Sequence, residues 1–349
     1  MKLRRVAAIA FSSVICAAPS LGGLGAGAAG YSIVAHIPGG AGGAWDYAVV
    51  DSTGGKLYLA QSGVSSLDLR NHTVTAGLVH AEISHGIAIL GDGRFAVDDS
   101  GTQKILIFNR GGKILASIPT ASDNPGRGMH SLDALVFEPR SGLLAAVNGE
   151  SGLLLLVDPT QQRVVGTIAV GGQPEFAVAD GAGTVFLNVN RGKHSEIAAI
   201  DAAAGSVVKH YPLSRCEGAT GLAYDESEHL LMAVCDSGVF EVLAAADGQL
   251  LARIEVGGGA DGVMWDPKRR RAFIASGDRG NLSVIAVRNA HDIALTQVLP
   301  TQEGTRLGAI DAETGNLYLP AAKFGPPIPP MPYPSVVPGS FEYLMIASK

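Results

Sequence analysis

The chain contains 349 residues, of which 47% are hydrophobic but only 6% aromatic, together with 46 glycines. This composition favours many short strands joined by tight turns over long helices. The 32 acidic and 26 basic residues give a net charge of −6, and the most basic block spans only residues 268–271. A nucleic-acid-binding surface is therefore not expected, because such surfaces need clustered cations.

The first 28 residues have the features of an export signal. A basic start is followed by an apolar stretch over residues 6–18 and then by small residues near position 28. We predict a signal peptide at residues 1–28 and a periplasmic or extracellular location for the mature chain. The alternative is an uncleaved membrane anchor, which is disfavoured because Pro19 and several glycines interrupt the apolar stretch. No membrane span is expected after the signal is removed.

A short apolar segment that ends in an acidic residue recurs along the rest of the chain. Six copies cover residues 47–51, 134–138, 176–180, 221–225, 262–266 and 307–311, and a weaker copy covers residues 87–91. In chain order, their ends are 40, 47, 42, 45, 41 and 45 residues apart. Each copy is followed by a turn and by further apolar segments. Four strands in each of seven repeats predict an all-β fold, a seven-bladed β-propeller with four-stranded blades.

The last repeat supplies only three strands before the sequence stops. Residues 32–40 resemble the fourth strand of another repeat, residues 164–172, and can complete the last blade. An N-terminal strand that pairs with the C-terminal blade closes the ring and removes open sheet edges. We therefore expect one domain over residues 29–349, without a linker, and a monomer.

Residues 325–338 form a proline-rich insertion between the second and third strands of the last repeat, with seven prolines among fourteen residues. We predict an extended, stiff loop rather than a strand, because proline-rich segments favour extended backbone without internal hydrogen bonds. The loop is interpreted either as a rigid surface cover, or as a lid over the channel mouth or a ligand for a proline-recognising partner.

Two cysteines remain after the signal segment. Cys216 precedes the inner strand of the fifth repeat, and Cys235 ends the strand that follows it. In an antiparallel pair these positions lie near the same edge, and disulfides persist in exported proteins. We expect a disulfide; the alternative is one buried and one exposed free thiol.

Candidate site residues lie in the loops that lead into the inner strands, which open on the same propeller face as the loops between second and third strands. The first set contains Asp46, His85, His130, Asp133, Glu175, Glu217, Asp261 and Arg306, and the second set contributes Asn190. Such a face can hold a divalent cation. The ligands would be Asp46, His85, His130 and Glu175. The alternative is that these residues cap strands and keep the channel hydrated.

Motifs of common enzyme classes are absent from the sequence. There is no Gly-x-Ser-x-Gly elbow, no Walker lysine loop, no His-Glu-x-x-His and no Cys-x-x-Cys. His130 with Asp133 could orient a general base, but no nucleophile stands at a suitable position. No catalytic residue is assigned.

Several local motifs of this chain resemble the exported bacterial seven-bladed propellers of the YncE-like, YVTN-repeat family. They are Trp45-Asp46-Tyr47, His85-Gly86-Ile87-Ala88, residues 171–180, Cys216-Glu217 with residues 234–236, residues 300–302, and residues 318–324 with 337–341. The resemblance covers essentially the whole mature chain. The chain departs from the family where Val-Asp after the third strand is lost, at Ala244 and Ala286, and where the Asn-rich loop is weakened in repeats one, two and six. The resemblance implies a binding protein without an established reaction.

We therefore predict an exported, non-enzymatic binding or scaffold protein that presents this face, with Trp45 at its first blade, to an unidentified protein or small-molecule ligand. The alternative is a metal-dependent, lactonase-like hydrolase with a cation at the channel mouth. A divalent metal is the one cofactor that the sequence suggests.

Overall fold

A computed structural model describes residues 30–40, 42–120, 132–328 and 334–349. Within these ranges the chain forms 30 β-strands and no helix. Accordingly, the described chain contains no helix long and apolar enough to cross a membrane. The predicted signal peptide and His130 lie outside the described residues.

Seven four-stranded antiparallel sheets, the blades, follow one another along the chain. The first strand, β1 (Tyr31–Pro38), precedes blade 1. Blade 1 contains β2 (Ala48–Asp51), β3 (Lys56–Ala60), β4 (Gly63–Asp68) and β5 (Val74–His80), and blade 2 contains β6 (Ile87–Gly91), β7 (Arg94–Asp99), β8 (Lys104–Asn109) and β9 (Ile114–Pro119). Blade 3 contains β10 (Leu132–Glu138), β11 (Leu143–Asn148), β12 (Leu153–Asp158) and β13 (Arg163–Ala169), and blade 4 contains β14 (Gln173–Ala179), β15 (Thr184–Arg191), β16 (His194–Asp201) and β17 (Ser206–Leu213).

The remaining strands complete the ring. Blade 5 contains β18 (Ala219–Asp225), β19 (Leu230–Cys235), β20 (Val239–Ala244) and β21 (Leu250–Glu255), and blade 6 contains β22 (Met264–Asp266), β23 (Arg271–Ser276), β24 (Asn281–Asn289) and β25 (Asp292–Pro300). Blade 7 begins with β26 (Ala309–Ile310) and β27 (Leu317–Ala321) and ends with β30 (Glu342–Ser348). The predicted seven-bladed β-propeller is confirmed.

The N-terminal strand closes the ring as predicted. Blade 7 has the strand order β1-β30-β27-β26, so β1 is its outer strand. The antiparallel register pairs Tyr31 with Ser348 and Ile37 with Tyr343. Because the first and last strands of the chain share one sheet, the ring is held together by main-chain hydrogen bonds.

The prediction that residues 325–338 form a loop without strands is wrong, because a short strand forms near each end of this segment. Two short strands, β28 (Phe324–Pro327) and β29 (Pro334–Val336), pair with each other and with no other strand. Proline lacks a main-chain N–H, but in a two-stranded ribbon every residue has one side without a partner strand. The prolines can therefore lie in this hairpin without breaking a sheet.

The hydrophobic core lies between neighbouring blades. The middle strands of a blade are covered on both faces, and every residue of β19 is buried. The outer strands have one face toward solvent, and β13 alternates exposed with less exposed residues. This difference explains why the second and third strands are continuous apolar segments in the sequence.

Three of the acidic residues that end the recurring segment connect neighbouring blades. Each accepts a contact from the blade that follows it around the ring: Asp51 from Arg110 (2.6 Å), Asp225 from Arg270 (2.6 Å) and Asp311 from Ser52 (2.7 Å). All three acids are buried. At these three positions the recurring acid is therefore a contact between blades, because a buried carboxylate needs a donor.

The predicted disulfide is confirmed. Cys216 and Cys235 are bonded, with their Cα atoms 5.4 Å apart, and both residues are buried. The bond joins the loop that leads into β18 to the last residue of β19.

Candidate ligand-binding site at the channel mouth

One polar side chain from each blade lies where the inner strand begins. In six blades this residue stands five positions before the residue that ends the recurring segment: Asp46, Asp133, Glu175, Thr220, Asp261 and Arg306. In blade 2 the corresponding residue is His85, six positions before Gly91. We call these seven residues the mouth ring.

The carboxylates of the mouth ring influence one another across blades that are not adjacent. Burial, and then the charge of Asp261, raise the pKa of Asp46 to about 7, although His85 and Arg306 oppose the rise. Burial and Asp261 also raise the pKa of Glu175 to about 7. These groups therefore interact through their charges although they belong to blades 1, 4 and 6.

Asp133 and Asp261 share this environment. Burial and the charges of Asp46 and Glu175 raise the pKa of Asp133 well above its usual range. Burial also raises the pKa of Asp261, although the Arg306 guanidinium, with Nε 3.1 Å from Asp261 Oδ2, opposes the rise. The ring therefore holds four carboxyl groups whose pKa values are all raised, mainly by burial.

His85 is held by a buried aspartate of the same blade. Asp98 Oδ1 accepts hydrogen bonds from the main-chain N–H groups of His85 (2.7 Å) and Gly86 (2.8 Å). Its Oδ2 accepts a hydrogen bond from Ser100 (2.7 Å) and lies 3.6 Å from His85 Nδ1. Burial alone would lower the pKa of His85, but Asp98, with Asp46 and Asp133, raises it to about 9. The imidazole is therefore protonated at neutral pH and adds a second cation to the ring.

Two aromatic residues next to the mouth ring contact each other across the channel. The rings of Tyr47 in blade 1 and Phe176 in blade 4 lie 4.8 Å apart, and these blades stand on different sides of the channel. Tyr47 is 8% exposed. Burial, and then the charges of Asp133, Asp261, Asp46 and Glu175, raise its pKa well above the usual range.

Three of the predicted face residues lie outside the mouth ring. Trp45 packs beside it, with its ring 5.0 Å from Phe341 and 5.9 Å from Phe324 of the hairpin. Asn190 is structural, because its amide makes two hydrogen bonds to the main chain of Ala219 and so links blades 4 and 5. Glu217 is exposed in the loop before β18.

Thr220 takes the ring position of blade 5, and its hydroxyl donates a 2.7 Å hydrogen bond to the carbonyl of Ala260 in the next blade. The sequence prediction missed it because charged residues were sought. The constant spacing of five residues before Asp225 identifies it. Tyr47 was missed as a site residue because its apolar neighbours indicate core.

The predicted metal site finds no support in the described geometry. Among residues 30–40, 42–120, 132–328 and 334–349, no three His, Cys, Asp or Glu side chains are arranged to hold a metal ion. His130, one of the four predicted ligands, is outside those ranges.

The chain matches no protein-family model and no curated protein. Its fold is similar to that of solved structures. A chain of the Kuenenia stuttgartiensis hydrazine synthase has 14% identity and a TM-score of 0.67, over 81% of this chain and 92% of that chain. U3-55K has 11% identity and a TM-score of 0.67, and the match covers 86% of this chain and 94% of that chain. A chain of the mitotic checkpoint complex has 12% identity and a TM-score of 0.65, and the match covers 78% of this chain and 86% of that chain. Fold and comparisons together define the class of this protein, a seven-bladed β-propeller.

Proposed function

We propose that the chain is an exported, non-enzymatic binding protein that recognises a positively charged group of a ligand or partner at the mouth ring. The ring contains four carboxylic acids, one arginine and one histidine. Propellers commonly present binding surfaces at the ends of the channel, where loops from every blade meet.

The observation that carries this proposal is the lack of donors for three of the carboxylates. The side chains of Asp46, Asp133 and Glu175 make no hydrogen bond or ion pair with any other described residue. Partly buried carboxylates in folded proteins usually have such partners. Where these carboxyl groups ionise, above about pH 7 for Asp46 and Glu175, a cation at the ring offsets their mutual repulsion.

Export is proposed from two features. The N-terminal sequence resembles a signal peptide, and the Cys216–Cys235 disulfide is compatible with an oxidising compartment. The resemblance to YncE-like propellers supports a binding role. The hydrolase alternative has no support among the described residues.

Calorimetric titration with small butyl compounds tests the proposed function. Butylammonium, butylguanidinium and butyltrimethylammonium are expected to bind at pH 8, and butyrate is not. The D133N/E175Q variant should weaken cation binding by about tenfold or more, since each charge pair removed is close to the ligand. Added salt at 0.5 M should also weaken binding.

The matched control is E226Q/E228Q, which removes two charges at the exposed turn after β18, at the opposite end of blade 5. It should bind like the unmodified protein. Binding of none of the three cations, or equal binding by D133N/E175Q and the unmodified protein, would contradict the proposal.

A further inference from the structure

A cavity of about 430 Å³ lies between the loop that joins blade 6 to blade 7 and the base of the hairpin formed by β28 and β29. It is lined by Gln302, Lys323, the turn 337–340 and Glu342. No residue of the mouth ring lines it, so the cavity is separate from the site described above. Its volume is in the range of small-molecule sites, roughly 300–1,000 Å³.

One amide group of this cavity has no partner. The side-chain nitrogen Nε2 of Gln302 is buried and donates to no acceptor among the described residues. The main chain of Gln302 is fixed, because its carbonyl accepts a hydrogen bond from the N–H of Thr305 (3.1 Å). Buried side-chain donors in folded proteins nearly always have an acceptor. A molecule bound in the cavity can supply one.

Two opposite charges line the same cavity without neutralising each other. Lys323 is exposed, and its ammonium group makes no hydrogen bond or ion pair with any described residue. Glu342 uses one carboxylate oxygen, Oε2, which lies 3.0 Å from His36 Nδ1, and its Oε1 is left as an acceptor. A simple anion is repelled by Glu342 and a simple cation by Lys323, whereas a ligand with both charges is attracted by both groups.

The turn 337–340 forms a fixed, partly apolar wall of the cavity. The N–H of Val337 donates to the carbonyl of Lys323 (2.8 Å), and the hydroxyl of Ser340 accepts a hydrogen bond from the N–H of Lys323 (3.0 Å). These bonds hold the wall and the lysine main chain together. Val337 is 39% exposed, and with the exposed Pro338 it offers apolar surface to a ligand.

We propose that this cavity binds a free α-amino acid with an aliphatic side chain, in its zwitterionic form. Lys323 and Nε2 of Gln302 bind the carboxylate, and Oε1 of Glu342 accepts a hydrogen bond from the α-ammonium group. Hydrogen bonds between charged groups are the stronger ones in proteins. The side chain of the amino acid contacts Val337 and Pro338. This site is independent of the proposed function, because it uses another cavity and a ligand of no net charge.

Calorimetric titration with leucine and two analogues tests the need for both charges. N-acetyl-leucine lacks the ammonium group, and leucinamide lacks the carboxylate. We expect leucine to bind about tenfold more tightly than either analogue, as for loss of a hydrogen bond to a charged group. If N-acetyl-leucine or leucinamide binds as tightly as leucine, the site recognises one charge only and the inference is overturned.

Variants assign each charge to its residue. K323M should weaken leucine binding about tenfold and leave leucinamide binding unchanged, and E342Q should weaken leucine binding but not N-acetyl-leucine binding. Q302M should also weaken leucine binding, without a loss of stability in urea unfolding, because the amide has no partner to lose. The control is K113M, which removes an exposed lysine from the turn after β8 and should bind leucine normally.

The outcomes separate this site from the mouth ring. The D133N/E175Q variant should bind leucine like the unmodified protein. If D133N/E175Q loses leucine binding and K323M keeps it, the amino acid is bound at the mouth ring, which overturns this inference and supports the proposed function. If neither leucine nor valine binds to the unmodified protein, this inference is overturned, and the butyl cations still test the proposed function.

Discussion

Two acids at opposite ends of the inner strand of blade 1, Asp46 just before β2 and Asp51 at its end, show how local surroundings set the behaviour of one residue type. Burial tends to raise the pKa of both. At Asp51, hydrogen bonds from Arg110, Thr53 and Gly54 outweigh burial and lower the pKa. At Asp46, no described residue donates to the carboxylate, and burial together with the charge of Asp261 raises the pKa to about 7. The donors, not the strand, decide the sign of the shift.

The D46N variant tests this difference through stability. The folded chain holds the Asp46 proton up to about pH 7, whereas the unfolded chain releases it near the usual value of 3.8. The contribution of Asp46 to the free energy of unfolding is therefore complete below about pH 4 and is lost as pH rises toward 7. We expect D46N to be more stable than the unmodified protein at pH 8 and to depend less on pH between 4 and 7, as measured by urea unfolding.

The D51N variant is the control, at the other end of the same inner strand, where the pKa of the acid is lowered instead of raised. Its carboxylate pairs with Arg110 at 2.6 Å, so D51N should be less stable than the unmodified protein at pH 8. The His85 imidazole remains in both variants and extends the decline of stability toward pH 9, where its raised pKa lies. A D46N variant that is destabilised at pH 8 would contradict the account of the mouth ring.

At the scale of single elements, the disulfide fixes the loop that leads into blade 5. Cys216 lies three residues before the first residue of β18, and Cys235 is the last residue of β19. Main-chain bonds reinforce this corner, since the N–H of Asp236 donates to the carbonyl of Gly218 (2.7 Å). The disulfide and this hydrogen bond therefore both fix the start of β18, which contains the ring residue Thr220.

Removal of this bond should destabilise the fold without changing it. The two cysteines are 19 positions apart, and cross-linking a loop of about that length contributes roughly 3 kcal/mol to the free energy of unfolding. We expect a C216A/C235A variant to lose about that amount in urea unfolding at pH 7. The reduced, unmodified protein should show a similar loss. A loss below about 0.5 kcal/mol would mean that the main-chain hydrogen bonds fix the loop before β18 without the disulfide.

At the scale of the whole molecule, closure of the ring depends on β1. The strand pairs with β30 along its length and buries Ile37 against Leu57, Tyr318 and Tyr343, residues of blades 1 and 7. Val34 of the same strand is 52% exposed. One face of β1 therefore packs against blades 1 and 7, and its other face is exposed to solvent.

Alanine at these two positions tests the closure. The I37A variant should lower the free energy of unfolding by about 2–4 kcal/mol, as for a large-to-small change in a packed core. The V34A variant, on the solvent face, should change it by less than about 0.5 kcal/mol. Both are measured by urea unfolding. Equal losses would show that β1 lies in a different register.

The sequence by itself determined the blades, their number, the closing strand and the disulfide. These features depend on short-range patterns: an apolar segment ended by an acid, a turn, and a period of about forty residues that each blade must repeat. It also predicted Asp46, Asp133, Glu175, Asp261 and Arg306 at one face, because the position of a residue within its blade follows from its place in the repeat.

Only the tertiary structure decided which of those residues act together. Glu217 and Thr220 are three positions apart, yet only Thr220 takes the ring position, because the register of β18 sets which residue begins the strand. The contact of Tyr47 with Phe176 across the channel, and the coupling of Asp46 to Asp261, join residues more than a hundred positions apart. No local pattern specifies such pairs, because their members belong to separate blades that meet only in the folded ring.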